Sequence, residues 1–354
     1  MAVNKLLGAI RRLGLPGGLA LAAALLLGAC NKNVQPQNVL DPQAPIARQL
    51  DNLWNPVFAV AVVVFVLVES LVLIVVFRFR RRSDDDAPKQ VHGNTKLELT
   101  WTAAPALVLA VVGFFTVINI GELDAYPKAG PNVMRVNVIG HQWWWEFDYP
   151  ANGVATANEL HIPVGKTIDV RITSADVIHS FWPPKLAGKL DAVPGRLNHM
   201  QIKTDPQDAG KTFWGQCAEY CGLSHANMRL KVVVHSPDSY ADWLKGQQAP
   251  ANLALPADGD AATGVSLFRA KGCGGCHTIN GYTAGKVGPN LTHFMSRRVF
   301  AGAIFPNDVE SLRAWLRNPP AMKPMMPNNG LGMPNLNLAE NEISDLIAFL
   351  QTLK

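Results

Sequence analysis

The sequence is short of charge. Charged residues make up only 17% of its 354 residues, whereas hydrophobic residues make up 48%, a balance that indicates membrane segments. The net charge of +5 is mild and, without a clustered basic patch, predicts no nucleic-acid binding. The length leaves room for two or three domains, each with a core of its own.

Cysteine is also scarce, and this excludes a disulfide framework. The five cysteines are Cys30, the pair Cys217 and Cys221, and the pair Cys273 and Cys276. Each has a chemical role argued below, so none remains for a disulfide. The cysteines therefore indicate metal and cofactor chemistry.

The segment 217–228 contains four soft ligands. Cys217 and Cys221 are followed by His225 and Met228, the side chains that soft copper prefers. One copper needs one thiolate, so two thiolates suggest a shared pair of coppers. Zinc would normally use only Cys and His. The alternative is two buried cysteines with a His and a Met nearby by chance.

The N-terminal segment 1–29 is predicted to be a secretory signal, with a basic start and an apolar core at 19–27. That core is shorter than the roughly 20 residues that span a bilayer. It ends in Leu-Gly-Ala-Cys, which resembles a bacterial lipobox and predicts lipid attachment to Cys30. The alternative is an uncleaved start with a chance cysteine.

Two apolar runs, 56–79 and 101–121, have lengths that suit transmembrane helices. Arginines at 78 and 80–82 lie between them, so the positive-inside rule places this loop in the cytoplasm and everything after residue 121 outside. Glu69 lies within the first run and faces either a partner subunit or a bundle interior. Glu98, just before the second run, is by position an interfacial acid.

The segment 132–235 alternates at period two in short runs, for example 133–140, 167–172 and 230–234. This pattern predicts a small β-sandwich or barrel. A copper pair needs one more imidazole, and His179, in a loop after a strand, is the best supplier. Trp143, Trp144 and Trp145 are consecutive, so at least one is predicted to be exposed, because neighbours on a strand point oppositely.

A linker rich in Ala, Pro and Gly follows at 247–260, and a second motif lies beyond it. Cys273, Cys276 and His277 form CxxCH, which is typical of c-type haem attachment with the His as an axial iron ligand. A zinc or redox CxxC would explain neither the His nor the helix expected at 262–271. The sixth ligand should be a thioether, for which four methionines compete: Met322, Met325, Met326 and Met333.

Residues 51–245 resemble subunit II of haem–copper cytochrome c oxidases in five motifs: 97–102, 140–147, 176–181, 189–198 and 217–228. The last ninety or so residues resemble class I cytochrome c, with 288–291 as the loop that supports the axial His and 343–353 as the C-terminal helix. By this resemblance Met333 is the axial ligand and Met326 the runner-up.

The resemblance implies a multidomain fold: a two-helix transmembrane hairpin, an all-β cupredoxin-like sandwich and a small all-α cytochrome c domain. The expected segments are a signal peptide (1–29), a tail (30–50), the hairpin (51–125), the cupredoxin (130–245), a linker (246–260) and the cytochrome (261–354).

The resemblance also implies a binuclear CuA centre bridged by Cys217 and Cys221. The remaining copper ligands would be His179, His225, Met228 and the carbonyl of Glu219. The carboxylate of Glu219 would reach magnesium or manganese shared with subunit I, electrons would enter at Trp143, and Glu98 would stand at the mouth of a proton channel.

The implied function is the electron-input subunit of a proton-pumping, caa-type cytochrome c oxidase. Electrons would pass from the covalent haem to copper and then to subunit I, where oxygen is reduced. Expected partners are subunit I, subunit III and an external cytochrome or reductase donor. The expected location is the bacterial cytoplasmic membrane, with both redox domains on the periplasmic face. The alternatives are a nitric oxide reductase subunit and a membrane-anchored carrier outside an oxidase.

Overall fold

The structure is a computed structural model that describes residues 35–80, 90, 92–128, 130–251, 253 and 260–354. The predicted signal peptide and Cys30 lie outside the described residues. So do two of the four arginines of the cluster, at positions 81 and 82.

Two long helices come first, α1 (Pro45–Arg78) and α2 (Thr95–Leu123). With mean hydropathies of 3.2 and 2.2 over their most apolar windows, both are long and apolar enough to cross a membrane. Their apolar side chains are exposed, as expected for surfaces that face lipid. The predicted pair of apolar helices is confirmed.

The first helix begins at Pro45, ahead of residue 51 where the hairpin was expected to begin. Proline is well suited to the first turn, because its missing N–H would have no partner inside the helix. Ala44 and Ile46 are buried in the core of the following β unit. The start of α1 is therefore anchored to the β unit as well as to the membrane.

The β unit contains ten strands in two five-stranded sheets. The strands are β1 (Val133–His141), β2 (Trp144–Tyr149), β3 (Val154–Ala157), β4 (Glu159–Pro163), β5 (Thr167–Ser174), β6 (His179–Trp182), β7 (Leu190–Ala192), β8 (Asn198–Lys203), β9 (Thr212–Cys217) and β10 (Arg229–His235). The sheet orders are β3-β2-β1-β5-β8 and β4-β10-β9-β6-β7. The pairs β1–β5 and β4–β10 are parallel, and the others are antiparallel.

The two sheets enclose one apolar core. Side chains alternate along β2, where Trp145, Phe147 and Tyr149 are fully buried while Glu146 and Asp148 are only half-buried. Phe181 of the opposite sheet meets Trp145 edge-on, with ring centroids 5.5 Å apart. The predicted β-sandwich is confirmed, and its period-two pattern follows from one face of each sheet being covered.

Helix α3 (Pro237–Gln248) closes the β unit. The cytochrome-like unit, residues 260–354, follows. The helices of this unit are α4 (Asp260–Ala270), α5 (Cys273–Cys276), α6 (Val309–Arg317), α7 (Pro319–Met322) and α8 (Glu340–Leu350). Four two-residue strands form two small pairs: β11 (Thr278–Ile279) with β12 (Thr283–Ala284), and β13 (Val299–Phe300) with β14 (Phe305–Pro306). Helix α8 packs closely on α4 at Gly264, where a Cβ would meet the Asp345 carbonyl. The predicted small helical domain is confirmed.

All three consecutive tryptophans are buried. Trp143, Trp144 and Trp145 are 2%, 8% and 0% exposed, respectively, so the prediction that at least one is exposed is wrong. Trp144 stacks on His141, with ring centroids 4.2 Å apart. Trp143 lies where a loop of the cytochrome-like unit covers the β unit, a contact that strand alternation does not predict.

Candidate metal and haem centres

The segment 217–228 links two neighbouring antiparallel strands. Cys217 ends β9, a single 3-10 turn covers His225–Asn227, and β10 begins directly after Met228. The Cys217 amide donates to the Met228 carbonyl at 2.8 Å, which closes the loop at its base. A short loop held at both ends by a sheet keeps its side chains in place without induced movement.

Five soft-ligand side chains converge in this loop and beside it. The Cys217 and Cys221 sulfurs are 3.8 Å apart. Cys221 Sγ lies 3.6 Å from His225 Nδ1 and 3.9 Å from Met228 Sδ. Cys217 Sγ lies 3.9 Å from His179 Nδ1. His179, Cys217 and Cys221 thus offer ligand atoms that all lie within 4.8 Å of one another.

His179 was expected in a loop, but it is the first residue of β6 and reaches the cluster from there. Its Nε2 lies 2.7 Å from Asp176 Oδ1, which leaves Nδ1 to face Cys217. Burial lowers the pKa of His179, but hydrogen bonds to Asp176 and Cys217 outweigh burial, and the net pKa is raised. Asp176 thus orients the ring, a common role for a carboxylate behind a metal-binding His. The role of Asp176 could have been predicted from its position three residues before His179 in the sequence.

Gly140 explains how the His179 ring fits. A Cβ at this position would lie 2.7 Å from His179 Cδ2, closer than real contacts allow. Gly140 belongs to β1, in the sheet that faces β6. The glycine therefore provides the space for the imidazole between the sheets.

The two thiols shift each other's pKa in opposite directions. The hydrogen bond with Cys221 lowers the pKa of Cys217, and the same contact raises the pKa of Cys221. Metal ions bind thiolates, so metal binding releases any proton that the thiols hold. Met228 is fully buried and its sulfur contacts Cys221. Two thiolates, two imidazoles and a buried thioether fit soft copper and exceed what a zinc ion uses.

Glu219 presents two different oxygens. Its backbone carbonyl accepts from Cys217 Sγ at 3.2 Å, which places this oxygen beside the sulfur pair. Its carboxylate lies on an exposed residue and accepts from the Tyr220 amide. One carboxylate is too few for magnesium, whose octahedral shell needs further oxygens. A magnesium site here would need ligands from another subunit or from water.

The haem-attachment motif lies on the short helix α5. Cys273 is half-buried, Cys276 is exposed, and both are free thiols. His277 Nδ1 lies 2.8 Å from the Pro289 carbonyl, which leaves Nε2 for a metal. Burial lowers the pKa of His277 and so favours the neutral imidazole that iron binds. A Cβ at Gly288 would lie 2.5 Å from His277 Cε1, so this glycine lets the supporting loop approach the ring. These residues fit a c-type haem.

The competing methionines lie in different surroundings. Met333 packs against the core of the cytochrome-like unit, and its sulfur accepts from the Trp315 indole at 3.2 Å. Met325 packs against the core of the β unit instead. Met326 is 38% exposed.

Of the remaining predicted residues, Trp143 contacts the copper-ligand loop, whereas Glu98 and Glu69 lie on the long helices. Trp143 donates its indole N–H to the Cys221 carbonyl at 2.8 Å, so it touches the copper-ligand loop directly. Glu98 is exposed in the first turn of α2, where its carboxylate accepts from the Asn94 amide at 3.0 Å and caps the helix. Glu69 is exposed within α1.

Comparison with known proteins finds family matches to three parts of the chain. Residues 33–118 match the description "Cytochrome C oxidase subunit II, transmembrane domain", residues 151–236 match "Cytochrome C oxidase subunit II, periplasmic domain", and residues 261–354 match "Cytochrome c". A protein of Alkalihalophilus pseudofirmus named "Cytochrome c oxidase subunit 2" is 38% identical over 89% of this chain and 90% of its own length. The chain belongs to the cytochrome c oxidase subunit II family.

Two further relatives carry the same name, "Cytochrome c oxidase subunit 2". One, from Bacillus subtilis, is 33% identical over 93% of this chain and 95% of its own length. The other, from Bacillus sp. strain PS3, is 35% identical over 78% of this chain and 80% of its own length. As a subunit II, the chain acts in a haem–copper oxidase together with subunit I. It is anchored in a membrane with a periplasmic domain, and its two redox domains imply CuA copper and haem c.

Proposed function

We propose that this subunit II is the electron inlet of a caa-type oxidase, with its cytochrome c donor joined to it in one chain. Electrons would leave the covalent haem, reach the copper pair and continue to a haem in subunit I, where oxygen is reduced to water and protons are pumped. The observation that carries the proposal is the convergence of the sulfur and nitrogen atoms of His179, Cys217, Cys221, His225 and Met228.

In this proposal the thiolates of Cys217 and Cys221 and the imidazoles of His179 and His225 would hold the copper pair. The Met228 sulfur and the Glu219 carbonyl would complete the ligand set, and the coppers would accept and pass on one electron. Sharing one electron between two metals would reduce the rearrangement needed at each transfer. The protein residues supply the rigidity: Asp176 holds the His179 ring, and the Cys217–Met228 backbone hydrogen bond fixes the loop.

In the cytochrome-like unit we assign haem attachment to Cys273 and Cys276 and axial ligation to His277 and Met333. The place of Met333 in the core of that unit supports this choice. Met326 remains the alternative, but its exposure makes it a poor ligand for a buried iron. Trp143 is assigned as the residue through which electrons enter the copper site, which its hydrogen bond to the Cys221 carbonyl supports.

Three further assignments concern partners. The exposed Glu219 carboxylate would contribute to a magnesium or manganese site shared with subunit I. Glu98 would stand at a proton-channel entrance, a role compatible with its exposed position at the start of α2. The expected location is the bacterial cytoplasmic membrane, with subunit III and an external cytochrome or reductase as further partners. Exposed apolar residues beside the copper ligands, Ile178, Tyr220 and Leu223, offer a surface for subunit I.

The test is purification of the full chain from membranes with whatever binds it. The complex should show a c-type haem optical spectrum, the magnetic resonance signal of one electron shared by two coppers, and oxygen reduction. If the chain comes away without a large haem-bearing subunit, it is a membrane-anchored carrier. If that subunit reduces nitric oxide but not oxygen, the chain belongs to a nitric oxide reductase.

A further inference from the structure

The cytochrome-like unit is packed against the β unit through buried polar groups that no metal or haem role uses. One is Glu159, the first residue of β4, which is 0% exposed. Its Oε1 accepts from the backbone amides of Arg298 and Val299 in the cytochrome-like unit, at 2.8 and 3.0 Å. Beside it, the buried Arg297 donates from Nε to Thr156 Oγ1 at 3.2 Å.

The second group is Lys323, which follows α7 and is 3% exposed. Its Nζ donates to the Trp143 carbonyl at 2.6 Å and to the Ala301 carbonyl at 3.0 Å. Trp143 belongs to the β unit and Ala301 to the cytochrome-like unit. The ammonium therefore joins two backbone carbonyls across the contact, and burial lowers the pKa of Lys323 to about 7.

Two further hydrogen bonds near Lys323 join the cytochrome-like unit to the copper-ligand loop. The Arg229 amide donates to the Gly302 carbonyl at 2.9 Å, directly after Met228. The Ser224 hydroxyl donates to the Pro324 carbonyl, directly before His225. The loop that carries the copper ligands is thus bonded to the cytochrome-like unit on both sides of His225 and Met228.

Buried charges make this contact selective for one arrangement. Taking a carboxylate or an ammonium out of water is costly unless its hydrogen-bonding partners are in place. A shifted arrangement would leave Glu159 or Lys323 desolvated without those partners, which penalises it. Because the two units share one chain, their effective concentration is already high, so the contact needs selectivity more than affinity.

We propose that Glu159 and Lys323 are positioning residues that hold the cytochrome-like unit in one fixed arrangement over Trp143 and the copper-ligand loop. Neither residue binds a metal or haem. Lys323 contacts the carbonyl of Trp143, whose indole contacts the Cys221 carbonyl. An electron lost by the reduced haem and gained by copper would then cross a fixed distance, with no bond made or broken. This last step rests on the proposed function, whereas the fixed arrangement does not.

The primary experiment is amide hydrogen exchange on the purified full-length complex. The amides of Arg229, Arg298 and Val299 should be protected in the wild type. Lys323→Met and Glu159→Ala should each speed exchange at these amides by about tenfold, the effect of weakening the docked state by roughly 1.4 kcal/mol. Lys323→Arg should retain protection. The matched controls Lys354→Met and Asp242→Asn, at exposed positions, should change nothing.

Unchanged exchange at these amides in both Lys323→Met and Glu159→Ala would overturn the proposal. Lys323→Met is the safer variant for folding, because it keeps most of the unbranched side chain and lies outside the helices and strands, whereas Glu159 lies within a strand. Retention of the optical and magnetic spectra confirms that each variant is folded and loaded.

The second experiment is the rate of electron transfer from haem to copper after rapid reduction. In the wild type this rate should not change with glycerol viscosity, because no diffusive docking step precedes transfer. In Lys323→Met it should fall about tenfold and become viscosity-dependent. A viscosity-dependent wild-type rate would overturn the fixed arrangement. Normal exchange protection without any haem-to-copper transfer would instead refute the proposed function and leave the docking intact.

Discussion

At the proposed copper site, each of the five candidate ligand side chains has a sulfur or nitrogen atom within 3.9 Å of a neighbour's. In the cytochrome-like unit, His277 and Met333 instead contact supporting groups, the Pro289 carbonyl and the Trp315 indole. No hydrogen bond joins His277 to Met333 within the part of the chain that the structure describes. Two metals that share ligands need those ligands clustered together. A haem instead needs its two axial ligands far enough apart to leave room for the ring between them.

The scaffolds differ in the same sense. The candidate copper ligands lie at strand ends and in one loop of a single sandwich, and a backbone hydrogen bond closes that loop. The haem residues are spread over α5, the 288–291 loop and the segment before α8. The first site is built by two neighbouring strands and the loop beside them, whereas the second draws on several separate segments of its unit. Each of the following changes tests this difference.

The largest effect is expected from replacing both attachment cysteines. The double variant Cys273→Ser, Cys276→Ser should lose covalent haem entirely, because the other described thiols, Cys217 and Cys221, lie in the β unit and not beside His277. Haem staining of a denaturing gel measures this. The copper magnetic resonance signal should persist, since the copper ligands are self-contained; its loss would show that the two sites fold together.

Removing one bridging thiol should be nearly as severe for copper. Cys221→Ser breaks contacts with Cys217, His225 and Met228 together. Copper affinity should fall by more than about 100-fold, beyond the 10–100-fold typical of losing a supporting residue. Copper content per chain by elemental analysis provides the measurement. The c-type haem spectrum serves as the internal control and should be unchanged.

A smaller change is expected from the axial methionine. Met333→Leu should abolish the sulfur-to-iron absorption band of the oxidised haem, because leucine has no sulfur to bind iron. The haem should stay covalently bound, because attachment uses Cys273 and Cys276. Met326→Leu is the matched control and should keep the band. If the band survives in Met333→Leu and disappears in Met326→Leu, the assignment moves to Met326.

The smallest change tests the space around His179. Gly140→Ala places a Cβ 2.7 Å from His179 Cδ2, so the ring or the strand must shift. Overpacking of this kind costs about 1–3 kcal/mol, and thermal unfolding should show it. Copper should remain bound but with altered hyperfine splitting in its magnetic resonance spectrum. An unaltered copper spectrum would mean that the strand moves instead of the ring.

The sequence was sufficient to predict which candidate ligand side chains the structure brings together, but not their surroundings. Cys217, Cys221, His225 and Met228 lie within twelve consecutive residues of one loop, so their closeness in sequence alone predicts that they can meet. Apolar runs likewise predicted α1 and α2. The burial of Trp143 could not be predicted, because its indole packs on the Cys217–Met228 loop, about 80 residues further along the chain. Lys323 gave no signal either, since its partners are backbone carbonyls, which every residue has.

Gly302 shows what joining donor and acceptor in one chain entails. It is the middle of three left-handed residues, Ala301, Gly302 and Ala303, with φ of 53°, 81° and 59°. A Cβ on it would collide with the Asn227 carbonyl of the copper-ligand loop. Two separate proteins that exchange electrons must recognise each other and then part, which favours forgiving surfaces. Here the two units approach so closely at Gly302 that a side chain does not fit, so a residue that binds no cofactor limits which substitutions the joined chain tolerates.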